Sequence, residues 1–302
     1  MRRVTVMLEY FHPWTNSAGF YLARDRGFYE AAGLAVEFRV ADPAWGDALQ
    51  YLARGDVDFA IFPSNRLLVR RDRGEALIGI AAINHRALEM VQAIAGRGIA
   101  RPRDLAGRRV ALNPTPRGLA MIRHLVTSDG GDADRVTIVD SGARELNPEA
   151  LRDGIADASF GSYWAWEALL PSKVPAGDRI QWPVDEIGAP PYHSYLLGTR
   201  EAFAADDPEL TRAFVRATRE GYLVAAAEPR AALPLYEAVI PYFPQAMLAE
   251  SLDLIASTWL EDGRWGVQRA DKLAPYAAWL ASHGILADAA IWETATTNAF
   301  LD

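Results

Sequence analysis

Short apolar runs alternate with stretches of helical spacing along the chain. Residues 4–10 read as a buried strand, followed by the turn-rich His12-Pro13-Trp14-Thr15-Asn16-Ser17. Between Gly19 and Tyr29 the spacing sets Phe20, Leu22, Ala23 and Phe28 on one helical face, and Gly33 stops the helix. Residues 34–40 form the next predicted strand, 47–54 a helix, and 57–62 a third strand after Gly55. This order favours parallel strands with helices on both faces. The pattern restarts around Gly96-Arg97-Gly98, a glycine pair that means no more than a turn. Residues 108–112 read as strand, Asn113-Pro114-Thr115-Pro116-Arg117-Gly118 as a rigid turn, and 119–127 as the helix it feeds. Strands follow at 136–139 and 158–160, and 181–184 and 195–198 carry the chain onward. From Asp207 the spacing is helical, at 210–228, 230–239, 245–259 and 272–283. No linker of low complexity and no fixed-period repeat interrupts it. Crossings near 95 and 196 would make 1–94 and 197–302 one lobe and 95–196 the other, with the cleft between them as the expected ligand site.

Composition narrows the classes. A chain of 302 residues, 50% hydrophobic and 23% charged, suits a globular protein of two lobes. Thirty-one basic against 39 acidic side chains leave a net charge of −8, which disfavours generic nucleic-acid or anionic-membrane binding. No cysteine is present, excluding disulfides, thiolate metal sites, a cysteine nucleophile and a lipid-modified cysteine. The opening apolar run is too short for a secretory core or a bilayer span. Two expectations follow: an extracytoplasmic protein whose export signal has been removed, or a cytoplasmic one.

Motifs for hydrolysis, metals and phosphates are nearly absent. The five histidines have no ligand spacing, and no G-x-G-x-x-G, P-loop or G-x-S-x-G occurs. His124 and His283 read as solvated or satisfied helix residues, and Asp56 and Asp58 as a solvated strand edge. Neither a metal nor a cofactor is expected. Aromatic residues carry more. Nine tryptophans are many for this length, and three clusters follow predicted strands or crossings: Tyr10-Phe11-His12-Pro13-Trp14, Tyr163-Trp164-Ala165-Trp166-Glu167 and Pro190-Pro191-Tyr192-His193. Loops at the carboxyl ends of strands are where open α/β sheets bind ligands. Flat side chains on proline-stiffened loops suit a planar, weakly charged solute. Against this, such rings could simply fill a seam, and Thr115 could simply cap a helix instead of helping to bind an anionic or carbonyl group.

Several segments resemble the thiamine-pyrimidine family. Residues 10–34 resemble its D-W-x-P-N-x-N-H-x-G-x-Y-x-A…G-x-F…G-L opening, and Gly55-Asp56-Val57-Asp58-Phe59-Ala60-Ile61 its G-K-A-D-F-G-I. Ala41-Asp42-Pro43 precedes the second helix as in the family, and Asp104-Leu105-Ala106-Gly107-Arg108-Arg109-Val110 resembles D-L-K-G-K-K-V. Gly161–Glu167 resembles G-x-Y-x-x-W-E, Gly188–Tyr192 G-V-P-x-Y, and Trp265-Gly266 with Gln268, Trp279 and 297–301 the closing W-G-x-Q…W…F-T-N-x-F-L. The resemblance spans essentially the whole chain. It implies an α/β fold of the type 2 periplasmic-binding-protein kind, two α/β lobes joined by a double-crossing hinge. It also implies a binding component of an ABC importer for a thiamine pyrimidine precursor, formylaminopyrimidine or hydroxymethylpyrimidine. The family's enzymatic branch uses a cysteine-rich motif and a histidine in the opening segment; here cysteines are absent and that histidine position is Ser17. The acid and amide of D-W-x-P-N fall on Tyr10 and Trp14, and the acids after G-V-P-x-Y on His193 and Ser194.

The expected ligand is therefore an aromatic heterocycle, bound without catalysis. Phe11 or Trp14 would stack on one side and Tyr163, Trp166 or Tyr192 on the other. Glu167 would accept from an amine, with Asn16, Asn65 and Asn113 as neutral hydrogen-bond partners and Pro63, Ser64, Thr115 and His193 completing the set. The partners expected are this small aromatic solute and an ABC transporter permease, with no nucleic acid, and a monomeric chain. Two alternatives stay open: a cytoplasmic enzyme of pyrimidine or thiamine metabolism using His12 or His193, and a binder of another solute, riboflavin-like or a sulfonate held by Arg66 or Arg117.

Overall fold

The computed structural model describes residues 1–142 and 146–302. Its strands, in chain order, are β1 Arg2–Met7, β2 Leu34–Arg39, β3 Phe59–Pro63, β4 Leu77–Ala82, β5 Glu89–Ile94, β6 Arg109–Leu112, β7 Thr137–Asp140, β8 Ala158–Tyr163, β9 Arg179–Pro183 and β10 Tyr195–Arg200, with a short pair β11 Leu260–Glu261 and β12 Arg264–Trp265. The α-helices are α1 Ala18–Asp25, α2 Phe28–Ala31, α3 Ala48–Arg54, α4 Ser64–Asp72, α5 Pro116–Ser128, α6 Pro148–Arg152, α7 Glu201–Asp206, α8 Pro208–Ala227, α9 Leu233–Val239, α10 Gln245–Ala256, α11 Ala270–Ser282 and α12 Trp292–Ala295. Among the described residues no helix is long and apolar enough to cross a membrane.

The chain divides into two compact units, Met1–Arg86 with Tyr192–Asp302, and Ala87–Pro191. These limits fall several residues before the crossings read from the sequence near 95 and 196. Hydrogen bonding explains the difference: β5 pairs with β8 and β9 and so belongs to the second unit, whereas β10 pairs with β3 and β4 of the first.

The sheet of the first unit has the order β2-β1-β3-β10-β4. Strands β1, β2 and β3 are parallel, as their alternation with helices requires. The returning strand β10 runs antiparallel between β3 and β4, so the sheet is mixed and not wholly parallel. In the second unit the order is β7-β6-β8-β5-β9: β6 is parallel to β7 and β8, and β5 is antiparallel to both its neighbours.

Local chemistry sets the helix limits. The Asp47 carboxylate caps α3 by accepting from the Gln50 amide at 2.9 Å, and Gly55, at φ 82°, ends it in the left-handed conformation. Asp207 caps α8 through the Leu210 amide at 3.0 Å, with Pro208 at the first helical position. Helix α8 then buries Leu210, Phe214, Thr218, Gly221, Tyr222 and Ala225 along one side. It packs against α1 at unusually short range. A Cβ on Gly221 would lie 2.0 Å from the Gly19 carbonyl oxygen and 2.8 Å from the Ala23 Cβ, and one on Gly19 would enter the Tyr222 ring. Gly221→Ala is expected to destabilise the fold by about 1–3 kcal/mol through overpacking, read as a lower urea midpoint. An unchanged midpoint would show that α1 and α8 have room to spare.

Candidate functional site

Each unit carries its own set of candidate groups, placed at one edge of its sheet by the strand directions. In the first unit β1 and β3 run side by side, so the segments leaving their carboxyl ends, residues 8–17 and Ser64–Asn65, emerge together. The antiparallel β10 starts at the same edge, bringing residues 193–194 beside them: Ser64 Oγ donates to the His193 carbonyl at 2.5 Å, and the Ser64 amide to the Ser194 carbonyl at 3.2 Å.

Residues 14–17 are wholly buried and held from several helices. Tyr236 donates its hydroxyl to the Trp14 carbonyl at 2.6 Å, Tyr222 donates to the Asn16 carbonyl at 2.8 Å, and Thr15 and Ser251 share a hydroxyl contact of 2.5 Å. The Asn16 side chain is fully engaged. Its Oδ1 accepts from Asn84 Nδ2 at 2.7 Å and Trp259 Nε1 at 3.3 Å, and its Nδ2 donates to Glu9 Oε1 at 2.9 Å. Ser17 Oγ donates to the other carboxyl oxygen of Glu9 at 3.1 Å.

Glu9 escaped the sequence reading, which placed the family's acid on Tyr10 and counted it lost. Glu9 stands one residue before that position, partly exposed and just beyond the carboxyl end of β1. An acid at that place was the available signal, because parallel sheets present groups to ligands there. Burial pushes its carboxyl above the ordinary range, while hydrogen bonds from its own amide, Asn16, Ser17 and Trp14 pull the other way. Beside it Tyr10, Phe11 and His12 form a run of rings with centroids 4.4 and 4.7 Å apart, and His12 continues to Phe243 at 5.2 Å. Phe11 is 49% exposed, whereas Trp14 is 1% exposed and packs near Tyr195.

His193 does not offer a nitrogen to solvent. It is 0% exposed; Nδ1 lies 3.3 Å from the Asn84 carbonyl, and Nε2 accepts the Arg269 amide at 3.0 Å. That pairing fixes a neutral ring with its proton on Nδ1. His85, buried 5.2 Å away ring to ring, has Nδ1 3.4 Å from Glu261 Oε2 without hydrogen-bond alignment, and Lys272 holds the other Glu261 oxygen at 2.7 Å. Burial lowers both histidines, His85 to about 4 and His193 to about 3. Tyr192 lies on Tyr276 at 4.6 Å and 17°, in a column that continues to Trp279.

In the second unit β6 and β8 are parallel neighbours, and the residues that follow or end them share one edge. Asn113 and Thr115 are exposed there, and Thr115 caps α5, its hydroxyl accepting from the Gly118 amide at 3.1 Å. Tyr163 ends β8 and its amide donates to Glu167 Oε2 at 2.8 Å, so Glu167 is tied to its own loop. Trp166 is 2% exposed. Arg117, one of the expected sulfonate ligands, forms a two-pronged pair with Glu89. Arg66, the other, pairs with Asp47 at 3.1 Å on the surface. His124 and His283 each contact a backbone carbonyl, and Asp58 accepts from the Thr5 amide and hydroxyl and is not simply a solvated edge. Among the described residues no group of three or more His, Cys, Asp or Glu side chains could hold a metal ion.

Two units with mixed five-stranded sheets and helices define the periplasmic-binding-protein fold, and solved structures share it. The E. coli aliphatic sulphonate-binding protein SsuA matches with a TM-score of 0.71 at 14% identity, covering 98% of this chain and 92% of its own. The Candida albicans CA3427 gene product, described as having the generic periplasmic binding protein fold, matches with a TM-score of 0.69 at 16% identity, covering 99% and 97%. Within that class, the chain belongs to the NMT1/THI5-like family, whose pattern matches residues 14–232. It is also 27% identical to the formylaminopyrimidine-binding protein of Halalkalibacterium halodurans, over 99% of this chain and 90% of that one.

The buried histidines make stability depend on pH. An unfolded histidine takes a proton near pH 6.5, but His85 and His193 in the fold do so only at about 4 and about 3. Their contribution is therefore complete above about pH 6.5 and falls by up to about 1.4 kcal/mol per pH unit for each as the pH drops toward 4. Melting temperatures of the native protein and of His193→Gln across pH 4–8 should diverge at neutral pH and converge in acid. Parallel curves would contradict the neutral, buried ring.

Proposed function

We propose that the protein is the solute-binding component of an ABC-type importer and takes a small aromatic heterocycle, of the thiamine-pyrimidine-precursor class, without altering it. The observation that carries this reading is the Glu9 carboxyl, partly exposed beside the rings of Tyr10 and Phe11 and held in place by Asn16 and Ser17. An aminopyrimidine presents an exocyclic amine and a flat, weakly polar ring. An amine that donates to this carboxyl favours its ionised form against the burial that raises it, giving a charge-assisted hydrogen bond, and exposed aromatic faces take the ring. Similarity to a formylaminopyrimidine-binding protein over nearly the whole chain supports the same ligand class. In the second unit Tyr163 supplies a further ring, and the exposed Asn113 a neutral polar group. Placement between the lobes, an extracytoplasmic location, a permease partner and a monomeric state belong to this proposal.

The alternatives fit less well. A sulfonate needs an available cation, yet Arg117 and Arg66 each face a carboxylate. An enzyme would draw on His12 or His193, but both nitrogens of His193 serve the backbone.

Isothermal calorimetry with formylaminopyrimidine and hydroxymethylpyrimidine tests the proposal. One of them should bind with a Kd at or below the micromolar range, about −8 kcal/mol. Glu9→Gln, similar in shape and still able to accept, should weaken that binding about 10- to 100-fold, the span of one charged hydrogen bond. Absence of binding by both compounds, or equal affinity for the variant, would overturn it.

A further inference from the structure

The second unit contains a cation that the reading above leaves idle. Arg117 is the second residue of α5 and only 9% exposed. Its guanidinium carbon lies 6.0 Å from the centre of the Phe160 ring. Nη1 donates to Glu89 Oε1, and Nη2 donates to Oε2 at 2.6 Å. Glu89 opens β5, across the ladder from Tyr163. The partners therefore come from different elements at one sheet edge.

A guanidinium fork in a largely dry place, next to the positive end of a thirteen-residue helix, has the chemistry that holds a carboxylate or a sulfonate. In this protein the anion on that fork belongs to the chain itself. We propose that Glu89 determines specificity as an internal anion: it occupies the Arg117 fork and so closes this edge of the second unit to anionic solutes. A solute that brings its own negative charge must displace Glu89 and break this largely buried ion pair. A neutral or amine-bearing ring meets no such cost. The same fold occurs in sulphonate-binding proteins, so a built-in counter-charge is a simple way for this sequence to reject their ligand class. The inference rests on the reading that this edge takes part in ligand binding.

The test is Glu89→Gln in the full chain, with butanesulfonate as probe and calorimetry and melting temperature as readouts. The native protein should show no binding at millimolar butanesulfonate. Glu89→Gln should bind it at least about tenfold more tightly than the native limit, with a melting temperature that rises with the probe and a gain that fades in added salt. The double variant Glu89→Gln/Arg117→Gln should lose the gain, which separates an exposed fork from general loosening. A folded Glu89→Gln that stays blind to butanesulfonate overturns the proposal, as does a gain that survives in the double variant. If Glu89→Gln alone is largely unfolded, recovery of its folded signal by butanesulfonate supports the proposal and lack of recovery overturns it. Formylaminopyrimidine titrated into the native protein reads the functional assignment separately, so failure of one is not mistaken for failure of the other.

Discussion

A carboxyl group drawn partly out of water must be met by donors, and Glu9 imposes that demand on the whole first unit. Desolvating a carboxylate costs several kcal/mol, and each charged hydrogen bond returns about 1.5–3 kcal/mol. Asn16 and Ser17 provide two such bonds, which is effective only if the segment carrying them cannot move. Its rigidity comes from distant chain: Tyr222 on α8, Tyr236 on α9, Ser251 on α10, and Asn84 and Trp259 around the Asn16 amide. The close glycine contact of α1 with α8 brings Tyr222 within reach of this segment. Residues from both stretches of the discontinuous unit thus converge on one acid, which remains partly exposed.

Charge in the second unit follows the opposite arrangement. There a buried cation is already satisfied by Glu89, and Glu167 is tied to the Tyr163 amide. The same edge carries Tyr163 and the exposed Asn113 and Thr115, a ring and neutral polar groups. On the proposed reading, each unit by itself suits a flat solute with an amine better than one with a sulfonate. The sheet architecture is shared with SsuA, so the discrimination proposed here would come from side chains and not from the fold.

Much of this was legible in the sequence because the relevant signals are local. Alternating strand and helix periods identified the α/β class, Gly55 and Asp207 marked helix limits, and the family pattern could be followed from residue 10 to the end. Strands β4 and β5 went unnoticed, since an apolar run such as Leu77–Ala82 lacks the alternation that marks a half-exposed strand. Antiparallel insertion of β5 and β10 was beyond local reading, because pairing partners lie far apart in sequence. The candidate residues named from the sequence take local roles that the sequence does not reveal. Asn16 supports Glu9, His193 supports the backbone, and Thr115 caps a helix. Such roles depend on which donors a fold places opposite, as the Arg117–Glu89 pair shows for two residues 28 positions apart.

Native mass spectrometry of the protein, purified without added ligand and then after addition of one equivalent of formylaminopyrimidine, tests the central claim most directly. The account predicts one small aromatic molecule per chain, held without a covalent bond and released on denaturation with its mass unchanged. A chain that stays empty at this stoichiometry, or releases a molecule of altered mass, would contradict it.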